Sequence, residues 1–83
     1  MAKAEDTVLV VHVSYPNAEL VPKIEARLER YGAVVAELRL RAPDKNGRWI
    51  TRSASYIILT EDVRALKISL TQIQNHENLL ISF

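Results

Sequence analysis

From Val8 to Tyr15 the chain reads VLVVHVSY, apolar at both parities and rich in β-branched residues. Such a run predicts a strand covered on both faces, and therefore a central strand. Leu9, Val11, Val13 and Tyr15 fall on one side of it, Val8, Val10, His12 and Ser14 on the other. Pro16 and Asn17 end the run. Leu20, Val21, Ile24, Leu28 and Tyr31 then recur at three- and four-residue spacing with charged residues between them, the pattern of an amphipathic helix. Pro22 is tolerated only in the first turn, which places the helix start near Glu19. Gly32 supplies the stop, in the left-handed conformation that commonly follows a helix.

Ala33 to Ala42 alternates strictly, with Val34, Ala36, Leu38 and Leu40 on one face and Val35, Glu37, Arg39 and Arg41 on the other. This predicts a half-buried strand. Pro43 to Arg48 contains Asn46-Gly47, a strong hairpin signal. Trp49 to Leu59 returns as a third strand whose apolar residues switch parity, so a bulge is expected near Ser53 to Ser55. Thr60-Glu61-Asp62 opens a second helix with Val63, Leu66, Leu70 and Ile73 as its stripe, ending at Asn75 to Asn78. Leu79 to Phe83 is a short last strand.

Strand, helix, strand, strand, helix, strand with right-handed crossovers predicts an α+β, ferredoxin-like βαββαβ sandwich. Its four-stranded antiparallel sheet has the order 4-1-3-2, with both helices on one face. No linker or repeat divides residues 1–83, which read as one domain with a frayed start at 1–6. The other sheet face stays open, and the best strand registers put Val8, Val10 and His12 on it together with Val35, Glu37, Arg39 and Arg41. A partly apolar open face on so small a domain points to a homodimer or higher homo-oligomer, with Val8, Val10, His12, Val35 and Glu37 as interface residues.

Composition removes several function classes. A net charge of +1 gives no reason to expect a phosphate-rich partner. Without cysteine there is no disulfide, thiolate metal site or thiol nucleophile, in keeping with a cytoplasmic location. No stretch reads as a signal peptide or membrane span. His12 and His76 have no second ligand at metal spacing, so neither a metal nor a cofactor is expected. Thr51, Ser53 and Ser55 lie in a strand beside no base the sequence identifies, and no carboxylate pair stands out for acid–base work, so the chain reads as a non-enzyme. Arg39, Arg41, Arg48 and Arg52 flank the hairpin with Trp49. Arg39, Arg41, Arg48 and Trp49 are the candidates for contact with an anion or a macromolecule, although basic residues on edge strands also discourage aggregation. RNA is disfavoured, because the central strands lack the aromatic platform of base-stacking modules.

The joint from Tyr15 to Leu20 is the remaining candidate. If Pro22 delays the helix, backbone N–H groups from Asn17 to Leu20 are free beside a helix N-terminus and suit a carboxylate or phosphate. Alternatively, Asn17 caps the helix and uses them up, and Glu19 adds a negative charge in either case.

Strand one running into YPNAEL, the helix end LERYGAVVAELRL and the tail ITRSASYIILTEDVRALKISLTQIQNHENLLISF together resemble an ACT domain, in the form found in small regulatory subunits of acetohydroxyacid synthase. The resemblance spans Thr7 to Phe83. Pro16-Asn17-Ala18-Glu19-Leu20 stands where the family has a proline-glycine-x-leucine turn. It implies a regulatory, self-associating module that binds a small amino acid near a subunit interface through Tyr15, Pro16, Asn17, Ala18 and Leu20, with a larger catalytic subunit as a further partner. The alternative is a structural or assembly module of the same fold that binds a protein or RNA through the basic hairpin.

Overall fold

The computed structural model describes residues 6–83. The expected frayed start lies, except for Asp6, outside the described residues. Six elements follow in order: β1 (Thr7–Ser14), α1 (Leu20–Tyr31), β2 (Ala33–Pro43), β3 (Trp49–Thr60), α2 (Val63–Glu77) and β4 (Leu80–Ser82). The strands form one antiparallel sheet in the order β2-β3-β1-β4, which counted from the β4 edge is 4-1-3-2. Among the described residues no helix is long and apolar enough to cross a membrane.

The core lies between one sheet face and both helices. Val11 and Val13 of β1 and Ala54, Tyr56 and Ile58 of β3 meet Leu20, Ile24 and Leu28 of α1 and Leu66, Leu70 and Ile73 of α2. The stripes expected on the helices are the buried ones, save that Tyr31 and Val63 are half-buried and Ser69 joins the α2 stripe. Ser69 is tolerated there because its hydroxyl accepts a 2.9 Å hydrogen bond from Arg27 Nη1, tying α2 to α1. Thr60 performs a similar task at the sheet end: its hydroxyl donates to the Tyr31 carbonyl and accepts from Asp62 N–H. Asp62 then caps α2 by accepting from Ala65 N–H at 3.0 Å.

Three expectations need correction. β1 is central but covered on one face only, since Val8 and Val10 stand exposed. β2 buries little beyond Val34, because a bulge between Val34 and Ala36 reverses its alternation. Glu37, Arg39 and Arg41 oppose Tyr56, Ala54 and Thr51, all buried, and so lie on the helix side; Leu38 and Leu40 oppose Ser55 and Ser53 on the open side. The predicted bulge in β3 exists but lies slightly earlier: Leu40 and Arg41 pair with Ser53 and Thr51, so Arg52 is the extra residue.

The third correction concerns Gly32, whose backbone is extended (φ −176°) rather than left-handed. A glycine is needed there because a Cβ would collide with the Leu59 carbonyl oxygen and approach Ile58 Cγ2 at 2.9 Å. The left-handed cap is instead Asn78, at the end of α2 (φ 56°, ψ 43°). Gly32→Ala is expected to lower stability by about 1–3 kcal/mol, as overpacking of a close contact does. A shift of the urea midpoint at unchanged slope would show it, and an unshifted midpoint would mean the close approach relaxes without cost.

Candidate functional site

The joint between β1 and α1 is closed by its own hydrogen bonds. Asn17 Oδ1 accepts from Glu19 N–H at 2.9 Å, the Asn17 carbonyl from Leu20 N–H at 3.0 Å, and the Ala18 carbonyl from Val21 N–H at 3.2 Å. Pro22, in the first turn of α1, has no N–H to offer. The donors expected to be free at Glu19 and Leu20 are therefore occupied, and a carboxylate would have to displace them. Tyr15 and Leu20 are core residues, while Pro16 and Asn17 are exposed and Ala18 is half-buried. Of the five, Tyr15 and Pro16 line a concavity, about 230 Å³ in volume, with Asn78, Leu79 and Leu80. That is below the roughly 300 Å³ at which small-molecule sites begin. A ligand held there would need a wall from elsewhere.

The open sheet face is larger and chemically uniform. β1 contributes Val8, Val10 and His12, β3 contributes Ser53, Ser55 and Ile57, β2 contributes Leu38 and Leu40, and β4 contributes Leu80, as their pairing positions dictate. None of these carries a formal charge. Val8, Val10, Leu38, Leu40, Ile57 and Leu80 are 39% to 73% exposed. Isolated exposed apolar residues are ordinary, but six on one sheet face form a patch. The predicted interface residues thus divide: Val8, Val10 and His12 belong to this face, Glu37 does not, and Val35 sits in the bulge.

Within this face His12 Nδ1 lies 2.7 Å from Ser55 Oγ, their residues being directly opposite across β1 and β3. Strand pairing thus supplies the base neighbour that the sequence did not reveal for Ser55. The pair borders a shallow depression of about 430 Å³ with Ser14, Ser53 and Ser82. A serine beside an imidazole is half of a nucleophile–base system. Among the described residues the His12 ring has no hydrogen bond other than that to Ser55, so nothing orients it as a base.

A second polar cluster was not legible. Tyr15 and Tyr56 share a buried 2.7 Å hydroxyl contact, Tyr56 OH donates to Glu25 Oε2 at 3.0 Å, and Glu25 forms an ion pair with Arg39, which also reaches Glu37 at 3.4 Å. The signal for it was a tyrosine at a core position on each central strand, since a buried phenol requires a partner. Burial pushes the Tyr15 phenol up to about 12, and Tyr56 is raised further, by burial first and then by its neighbours Tyr15 and Glu25. Burial opposes the Arg39 charge, but Glu25 and Glu37 outweigh it and hold the guanidinium protonated. The cluster ties α1 and the edge strand β2 to the core.

The basic hairpin is correspondingly reduced. Arg39 is engaged with Glu25 and Glu37, and Arg41 Nη2 donates to the Trp49 carbonyl at 3.1 Å. Trp49 is exposed, and Arg48 and Arg52 face solvent. Asp44 Oδ1 closes the turn by accepting from Asn46 and Arg48 N–H, both at 2.9 Å, and Gly47 takes φ 79° there.

Two outcomes are expected of the tyrosine cluster. Tyr56→Phe should cost about 1–3 kcal/mol, because it strips a partner from both Tyr15 and Glu25, and Tyr15→Phe should cost less. A double-mutant cycle by urea denaturation measures the coupling, and a coupling of zero would refute the cluster. Below pH 10 Tyr15 is neutral in both states; between 10 and about 12 the unfolded chain ionises first, so stability falls as pH rises through that window. Tyr15→Phe should flatten this alkaline slope in unfolding curves taken at stepped pH.

Comparison of the chain with protein-family models, with curated proteins and with solved structures finds no match in any of the three.

Proposed function

We propose that this chain is a non-catalytic, ACT-like regulatory domain of ferredoxin-like build that works in the cytoplasm by associating with further copies of itself through its sheet. The carrying observation is the uncharged open face with its six exposed apolar side chains. Interface centres are depleted of charge in this way. Any small amino-acid effector would bind at the Tyr15–Leu20 joint, where a neighbouring copy would supply the wall that the 230 Å³ concavity lacks. A larger catalytic subunit is the further partner this role calls for. The competing reading, a structural module holding a protein or RNA through the hairpin, retains Arg48 and the Trp49 ring, while Arg39 and Arg41 are engaged within the chain.

Light scattering after gel filtration should return at least two chains per particle. Leu38→Lys, at an exposed position, should shift the particle toward the single chain while changing the domain's own stability by no more than about 0.5 kcal/mol. A thermal-shift series over the common amino acids should raise the melting temperature for one of them. A strict monomer indifferent to every amino acid would overturn the proposal.

A further inference from the structure

A titratable side chain stands in the middle of the uncharged sheet face. Strand pairing sets Leu38, Ser55, His12 and Ser82 in a single row across β2, β3, β1 and β4. Leu40, Ser53, Ser14 and Leu80 form the row on one side of it, and Val10 with Ile57 the row on the other. Exposed leucine, valine and isoleucine side chains thus lie on both sides of His12 along the strands, and a body that covers them also covers the ring.

Nothing near the ring balances a charge on it. Of the residues that line the depression around it, drawn from β1, β3 and β4 with their connections, His12 is the only titratable one, and β2 adds Leu38 to its row. Glu37, Arg39 and Arg41 of β2 lie on the helix side of the sheet. Asp6 shares the parity of His12 but precedes it by six residues, about 20 Å along the strand. That is more than twice the screening length of roughly 8 Å at physiological salt. Ser55 serves either state of the ring, since its hydroxyl, 2.7 Å from Nδ1, donates to a bare nitrogen and accepts from a protonated one. It holds the imidazole in place without opposing its protonation.

We infer that His12 makes the association of copies depend on pH: with the ring neutral the sheet face is buried against a second copy, and a proton on the ring parts the two. The inference rests on the reading of the chain as self-associating through this face and adds its regulation. Covering the face is favourable because it takes apolar surface from water and desolvates no charge. In a two-chain particle the same surface serves both copies, so two imidazoles are covered together. A protonated imidazole must then be desolvated without a counter-ion or give up its proton. Histidine is the side chain that changes charge between about pH 5 and 8. Because the assembled state holds fewer protons than the separated chains, association strengthens as pH rises and weakens as it falls. With one proton released per copy, the dissociation constant of the pair rises by up to about a hundredfold for each pH unit on the acid side of the titration.

Light scattering stepped from about pH 8 to about pH 5.5 tests the inference, at a concentration just sufficient for assembly at the upper pH. Urea unfolding at both ends of the range checks that the chain stays folded. Particles of two or more chains are expected at the upper pH and folded single chains at the lower. His12→Gln, whose amide can still meet Ser55 but cannot charge, should assemble alike at both, whereas His76→Gln should dissociate in acid like the unaltered chain. Should the chain unfold in acid, or the His12 variant fail to fold or assemble, the His12 titration followed by NMR decides. Its midpoint is expected at lower pH in a concentrated sample than in a dilute one, and coincident midpoints would refute the coupling. Equal assembly at both pH values, or a dependence that survives His12→Gln, would overturn the switch and leave self-association standing. Single chains at every pH would overturn both.

Discussion

The register of β1 on β3 is the constraint from which the rest of the structure follows. Eight consecutive pairs, from Thr7 with Thr60 to Ser14 with Ser53, put Val11, Val13, Tyr56 and Ile58 on one side and Val8, Val10, His12, Ser55 and Ile57 on the other. Because side chains alternate with a period of two, a slip of one residue would send every member of each set to the wrong face. The first set meets both helices and is buried. The second meets nothing within the chain, so the pairing that builds the core also assembles the uncharged face and brings His12 to Ser55.

Polar chemistry on the helix side serves to hold the edge. β2 buries little apolar surface, so packing alone anchors it weakly. Arg39 reaches back to Glu25, Glu25 accepts from Tyr56, and Tyr56 meets Tyr15 at the end of β1. This runs from an exposed strand to the middle of the core with each polar atom satisfied, and no buried side-chain nitrogen or oxygen among the described residues lacks a partner. At the other end of the sheet the Gln74 side chain accepts from Ile81 N–H at 2.6 Å, and the α2 end closes with Leu79 N–H on the Gln74 carbonyl. A short β4 is thus held by α2 as well as by β1.

Element types and order were legible because their periodicities are long and clean: Leu20 to Tyr31 and Leu66 to Ile73 have helical spacing, and Val8 to Tyr15 has strand character. The faces of β2 were not legible. AVVAELRLRA alternates so regularly that nothing in it marks the bulge at Val35, which arises from pairing with β3 rather than from β2 itself. That one inserted residue moved Leu38 and Leu40 into the open and Glu37 and Arg39 toward α1. Gly32 was readable as a stop but not for its reason, since the contact that demands a glycine comes from Leu59 and Ile58, more than twenty-five residues away. At the joint the two alternatives both hold in part: Pro22 does delay the regular helix, but Asn17 fills the gap with a local turn that takes up the Glu19 and Leu20 donors.

The corrected β2 changes the argument for association rather than removing it. With Glu37, Arg39 and Arg41 on the open face, as the alternation suggested, a second copy would have had to bury three charges or pair them, at a desolvation cost that often exceeds the gain. With Leu38 and Leu40 there instead, the face has no charge to desolvate, and Leu80, Val10 and Ile57 extend the same surface across all four strands. The charges have moved to β2's other side, where Arg39 pairs with Glu25 and Glu37, Arg41 donates to the Trp49 carbonyl, and all three discourage pairing at that edge. One bulge therefore clears the face of charge and sets those side chains along the β2 edge instead.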